Sequence, residues 1–194
     1  MIALDLDNTI ICYDEAFRSA AIRLDCLPDG TGFSKAQIKA SALAKGGNEL
    51  WTRLQGLAYG EEITKASLFP GCVEFASAAS RGELAILSHK TVFPVIGPRI
   101  DLRQAALDFL AGTPLCDIPV YFFATREEKV AKLSELQARA LIDDLVEVFE
   151  TPGFPSETIF HLFDPENARP DWTASPRLRS WHEARHLLIN APVE

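Results

Sequence analysis

Two pairs of carboxylates stand where short apolar runs of the chain stop. Asp5-Leu6-Asp7-Asn8-Thr9 closes the first run, and Asp143-Asp144 follows Ala140-Leu141-Ile142. In open parallel sheets, ligands bind beyond the carboxyl ends of the strands. If the two runs are neighbouring strands, four carboxylates converge at that edge. Two like charges about 4 Å apart repel by about 4 kcal/mol at an effective dielectric of about 20. Such a cluster needs a counter-charge or raised pKa values, and a hard, oxygen-preferring cation such as Mg2+ suits it. Either pair alone reads as a solvated turn or a helix cap. The recurrence after two apolar runs is what points to a site. Ser88 ends the run Leu84–Ser88, where its hydroxyl could meet a phosphoryl oxygen. Lys129 lies in the first turn of the helical segment leading to Asp143, where an ammonium could neutralise the carboxylates, and Lys132, one turn on, is its rival.

These side chains need a frame to hold them. Ile2–Leu6, Leu84–Ser88, Ile118–Phe123, Ala140–Ile142 and Ile159–Phe163 are apolar runs of the kind found in buried parallel strands. Amphipathic segments alternate with them: Gly71–Arg81, Leu102–Leu110 with Asp101 as N-cap, and Arg126–Gln137 with Thr125 and Glu128 as a capping box. That alternation predicts an α/β fold with a Rossmann-like parallel sheet. The long interval from Ile10 to Glu83 breaks it. It reads as helices over Glu15–Cys26, Lys35–Lys45 and Glu49–Tyr59, separated at Pro28-Asp29-Gly30 and at Gly46-Gly47. The expectation is a core over 1–12 and 69–194 with a helical insert over 13–68. The proline-rich stretch after Thr151 is expected to be mostly irregular and to end in a helix, Leu178–Ile189.

The 194 residues are 47% hydrophobic and 24% charged, which suits a chain with a packed core and excludes a disordered one. Nineteen Lys and Arg against 27 Asp and Glu leave a net charge of -8, without the basic footprint of a duplex-binding protein. No run approaches the roughly 18 apolar residues needed to span a bilayer. The first residues lack a basic signal-peptide region. Cys12, Cys26, Cys72 and Cys116 are widely spaced, which reads as reduced thiols in a cytoplasmic protein.

In order and spacing, Asp5-Leu6-Asp7-Asn8-Thr9, Ser88, Lys129 and Asp143-Asp144 resemble the four motifs of the haloacid dehalogenase (HAD) superfamily, from Met1 to about Phe163. Phe69-Pro70-Gly71 also looks typical of it, and the helical insert lies where that superfamily places its C1 cap. The resemblance implies a Mg2+-dependent phosphatase acting on a small phosphorylated metabolite, sugar- or polyol-like. Asp5 would be the nucleophile and form an aspartyl-phosphate. Asp7 would protonate the leaving oxygen and then take a proton from water. Ser88 and Lys129 would bind the phosphoryl oxygens. The metal ligands implied are Asp5, the Asp7 backbone carbonyl and Asp144, with Asp143 direct or through water, and Thr9 would support the loop. A dehalogenase needs no acid at Asp7, because halide leaves unprotonated. A phosphonate-cleaving member would need a cap lysine, and nothing singles out Lys35, Lys39, Lys45 or Lys65. Substrate selection is expected from the cap, with Trp51 packing and Arg53 and Gln55 as contacts. His89 and Lys90 either line the same mouth or belong to loop surface.

A non-catalytic or phosphotransferase protein on the same fold is the alternative. A remoter one is a zinc peptidase, since His182-Glu183-Ala184-Arg185-His186 matches HExxH, with both histidines on one helix face. Cationic residues in the last turn of a helix need no metal to explain them.

Overall fold

The computed structural model describes residues 1–27 and 32–189. The turn expected at Pro28-Asp29-Gly30 lies outside the described residues. The chain forms two compact units.

The first unit comprises Met1–Ile11, Leu68–His89 and Pro114–Glu194. Its strands are β1 (Ile2–Leu4), β4 (Leu84–His89), β5 (Val120–Phe123), β6 (Ala140–Asp143), β7 (Ile159–Phe163) and β8 (Arg177–Leu178). They make one six-stranded sheet in the order β5-β4-β1-β6-β7-β8, and every pairing is parallel. This is the expected Rossmann-like α/β core. β1 lies inside the sheet, and Ile2, Ala3 and Leu4 are all buried. Side chains alternate across the sheet. Ala3, Ala85, Leu87, Leu141, Phe160 and Leu162 therefore share one face. They pack against Val130 and Leu133 of α5 (Arg126–Glu135) and against Val146 and Val148 of α6 (Val146–Phe149). Elsewhere in the unit, Trp181 of α7 (Trp181–Leu188) packs on Phe75 of α3 (Cys72–Ala78) and on Phe163, at ring distances of 4.9 and 5.5 Å.

The second unit comprises Cys12–Ser67 and Lys90–Thr113, so Leu102–Ala111 (α4), read from the sequence as part of the core, lies in this unit. It also contains α1 (Asp14–Arg23) and the long α2 (Lys35–Tyr59). The Ser34–Gln37 capping box starts α2. Helical geometry fails inside it, at Gly46 and at Gly47, where φ is 64°. The two helices expected on either side of Gly46-Gly47 are thus present, joined through a kink only glycine adopts without strain. Phe17, Ile38, Ala42, Leu54 and Ala58 fill the core, and Trp51 stacks on Phe17 with ring centroids 5.5 Å apart. Ile11–Cys12 (β2) and Ser67–Leu68 (β3) form a separate two-stranded ribbon.

The tail after Thr151 is mostly irregular between β7 and the last helix, as expected, with one short strand added. Arg177–Leu178 joins the sheet as β8, because Leu162 N–H donates to the Pro176 carbonyl and Asp164 N–H to the Leu178 carbonyl, at 3.0 and 2.8 Å. The last helix therefore begins at Trp181 instead of Leu178. Helices α1 and α3 also stop short of the expected Cys26 and Arg81.

Candidate active site at the carboxyl edge of the sheet

Strand register brings the two carboxylate pairs together. Leu4 of β1 is level with Ile142 of β6, so Asp5 and Asp143 are the next residues outward on neighbouring strands. The Asp5 N–H donates to the Ile142 carbonyl at 2.8 Å. Asp5 follows Ala3 by two positions and Asp143 follows Leu141 by two. Alternation therefore aims both carboxylates toward the α5 face. Helix α5 begins at the expected capping box, with Glu128 N–H donating to Thr125 Oγ1 at 3.2 Å and Glu128 Oε2 accepting from Thr125 N–H. That start puts Lys129 over the strand ends.

Lys129 Nζ donates to Asp5 Oδ1 at 2.5 Å and to Asp143 Oδ2 at 2.7 Å. Lys129 is 1% exposed, Asp5 6% and Asp143 0%. The other Asp143 oxygen accepts from Leu145 N–H at 2.9 Å, a partner no sequence motif announces. Lys132, the rival lysine, pairs with Glu135 at the surface.

Asp144 completes a group of three. Carboxylate oxygens of Asp5, Asp143 and Asp144 lie within 4.8 Å of one another. Ligand oxygens on opposite sides of a Mg2+ are about 4 Å apart, so the spacing is close to what that ion requires, and an all-oxygen set is the type it prefers. A divalent cation among these carboxylates would offset their mutual repulsion. The group does not include the Asp7 carboxylate. Asp7 is half-buried in the loop after β1, and Thr9 is fully buried in that loop. Ser88, 1% exposed, is near the end of β4 and level with Phe122 of β5.

Electrostatics follow from burial. Desolvation, with the charges of Asp143 and Asp7 added, outweighs the pull of Lys129 and pushes the Asp5 carboxyl up to about 7. Burial alone would lower the Lys129 ammonium. The Asp143 and Asp5 charges overcome it and hold the lysine protonated above its ordinary range.

The remaining candidates lie outside this cluster. His89 is exposed and its Nε2 donates to the Ala124 carbonyl at 2.9 Å. Arg53 is exposed and Gln55 half-buried. Lys35 and Lys39 lie over the Phe17 and Trp51 rings, Lys45 pairs with Asp25, and Lys65 is exposed. Lys90 is 4% exposed, with its ammonium over the rings of Tyr59 and Tyr13. On α7, His182 and His186 are exposed. Glu183 caps its own helix: its N–H donates to Ser180 Oγ, and its carboxylate accepts from Arg179 N–H. Among the described residues no third ligand joins the two histidines.

Neither a protein-family model nor a curated relative matches the chain. Solved structures do. The chain is similar to a HAD family hydrolase from Deinococcus radiodurans R1 with bound phosphate and sodium. That match has a TM-score of 0.59 and 15% identity, over 97% of this chain and 94% of that one. The magnesium-bound HAD-hydrolase YfnB of Bacillus subtilis gives 0.60 at 11% identity, over 96% and 97%. A HAD-superfamily hydrolase of subfamily IA from Geobacter sulfurreducens PCA gives 0.57 at 15% identity, over 96% and 98%. Likeness at this identity concerns the fold. A parallel sheet with paired aspartates at its carboxyl edge, matched over nearly its whole length by these structures, gives the chain the fold of the haloacid dehalogenase superfamily hydrolases.

Proposed function

We propose that the protein is a Mg2+-dependent phosphomonoester hydrolase that acts on a small phosphorylated metabolite, sugar- or polyol-like, in the cytoplasm. The observation that carries this reading is the buried Asp5–Lys129–Asp143 constellation, with Asp144 beside it. Phosphate in the Deinococcus radiodurans structure and magnesium in the Bacillus subtilis one are consistent with it. No helix among the described residues is long and apolar enough to cross a membrane.

In this reading Asp5 attacks phosphorus in line with the ester oxygen. The new bond joins Asp5 Oδ to phosphorus, and the bond from phosphorus to the leaving oxygen breaks. Asp7 gives that oxygen its proton. Water then attacks phosphorus, Asp7 takes its proton, and the bond to Asp5 breaks to release inorganic phosphate, leaving Asp5 a carboxylate and Asp7 protonated again. Lys129 and Ser88 hold the phosphoryl oxygens, where fixed donors stabilise charge that develops in the transition state. Mg2+, held by Asp5, Asp144, the Asp7 carbonyl and Asp143 directly or through water, would supply charge neutralisation on the phosphoryl group.

The test is hydrolysis of p-nitrophenyl phosphate with Mg2+. Asp5→Asn is expected to abolish turnover while far-UV circular dichroism stays native. Full activity in that variant would overturn the proposal.

A further inference from the structure

Helix α7 bears the HExxH sequence, but its first residue has a separate connection to the site. Trp181 is 0% exposed, and its indole Nε1–H donates to the Thr9 carbonyl at 3.0 Å. A buried indole requires an acceptor, and here the acceptor belongs to the loop that carries Asp7. That loop is closed on itself. The Leu6 carbonyl accepts from the N–H groups of Ile10 and Ile11 at 3.1 and 2.9 Å, and Asn8 N–H donates to the Ile11 carbonyl at 2.9 Å. Asn8 takes φ 64°, a conformation Asn tolerates better than most residues. Thr9 lies two residues from Asp7 within this closed loop.

Thr9 and Ile10 both tie the loop to its surroundings. The Ile10 carbonyl accepts from Phe69 N–H at 2.9 Å. The Thr9 carbonyl accepts from Trp181, while its own hydroxyl is buried without a hydrogen-bond partner among the described residues. Thr9 is thus anchored by its backbone. Two features aim the indole. The Ser180–Glu183 cap fixes where α7 begins. Gly71 lets the first turn approach, since a Cβ there would come within 3.2 Å of Trp181 Cβ.

We infer that Trp181 is a positioning residue, whose hydrogen bond to Thr9 holds the loop so that Asp7 meets the leaving oxygen. The inference rests on the phosphatase reading. Proton donation matters more for a poor leaving group, so the effect should depend on the ester. The experiment compares kcat/KM, which covers the steps up to departure of the leaving group, for phenyl phosphate and for p-nitrophenyl phosphate. Phenol is much the weaker acid of the two leaving groups. Two proteins are set beside the wild type: Trp181→Phe, and a chain carrying 3-benzothienylalanine at position 181. The latter keeps the indole shape and replaces the N–H by sulfur, so it does not depend on tolerance of a cavity. Both are expected to lower the phenyl-to-nitrophenyl ratio fivefold or more. An equal loss on both esters, or no loss on either, overturns the inference. Hydrolysis of neither ester by the wild type would overturn the phosphatase reading and this inference together. An active wild type with an unaltered ratio in the variants overturns this inference alone.

Discussion

Asp5 is the residue where stability and chemistry oppose each other. Its carboxyl ionises near neutrality in the folded chain, against about 4 when exposed. The fold thus favours the protonated form. For a raised acid, the stability it contributes is fully present below the unfolded pKa and is lost as pH rises through the folded one. Asp5→Asn mimics the protonated form at every pH. In EDTA at pH 8 the variant is expected to melt above the wild type, and the gap should close as pH falls toward 4. Thermal denaturation across that range checks it, and a variant that melts lower at pH 8 would show that the Asp5–Lys129 pair is net stabilising. The carboxylates were legible in the sequence, because a buried apolar run that stops at acidic residues has few bland explanations when it recurs. The choice between Lys129 and Lys132 was not. Positions three apart share one side of a helix. Which of them reaches the strand ends depends on how α5 is set along β6, and that is a matter of packing.

Elements were legible in proportion to their length and punctuation. Thr125 with Glu128, Ser34 with Gln37, and Gly46-Gly47 all act through local chemistry, and only the second pair went unread. β8 has two residues, stands among prolines and owes its existence to β7, so no periodicity could reveal it. Its presence also moves the start of α7, which puts Trp181 in the first turn. The HExxH spelling drew attention to the histidines, whereas Ser180-x-x-Glu183, in the same residues, was the informative signal. Gly71 tests how closely α3 and α7 must meet. It takes φ 87°, and an added Cβ would lie 3.2 Å from Trp181 Cβ. Gly71→Ala is expected to cost about 1–3 kcal/mol, from left-handed backbone strain together with the crowded contact. Urea denaturation measures it, and a loss under about 0.5 kcal/mol would mean that α7 can retreat without penalty.

At the scale of the molecule, parallel alternation was legible but strand order was not. Neighbouring positions for β1 and β6 were a condition of the sequence argument, and the sheet meets it with β1 between β4 and β6. The same sheet carries a buried histidine away from the site. His161 of β7 is 2% exposed, and both ring nitrogens are buried without a hydrogen-bond partner among the described residues. Burial, with the Arg139 charge added, pulls its pKa down to about 4, against about 6.5 in an unfolded chain. Between those values the unfolded state binds the extra proton, so stability rises with pH there. The contribution is intact above about pH 6.5 and is lost as pH falls through 4. Between pH 7 and pH 5 the loss is about 2 kcal/mol at 1.36 kcal/mol per unit. Asp5 shifts stability the opposite way over the same range, so the wild-type curve alone cannot separate them. His161→Leu, of similar volume and unable to titrate, does. The difference in unfolding free energy between wild type and variant, measured in urea at each pH, should fall by about 2 kcal/mol from pH 7 to pH 5. A difference that stays constant would mean that His161 takes up its proton in the folded sheet as readily as in water.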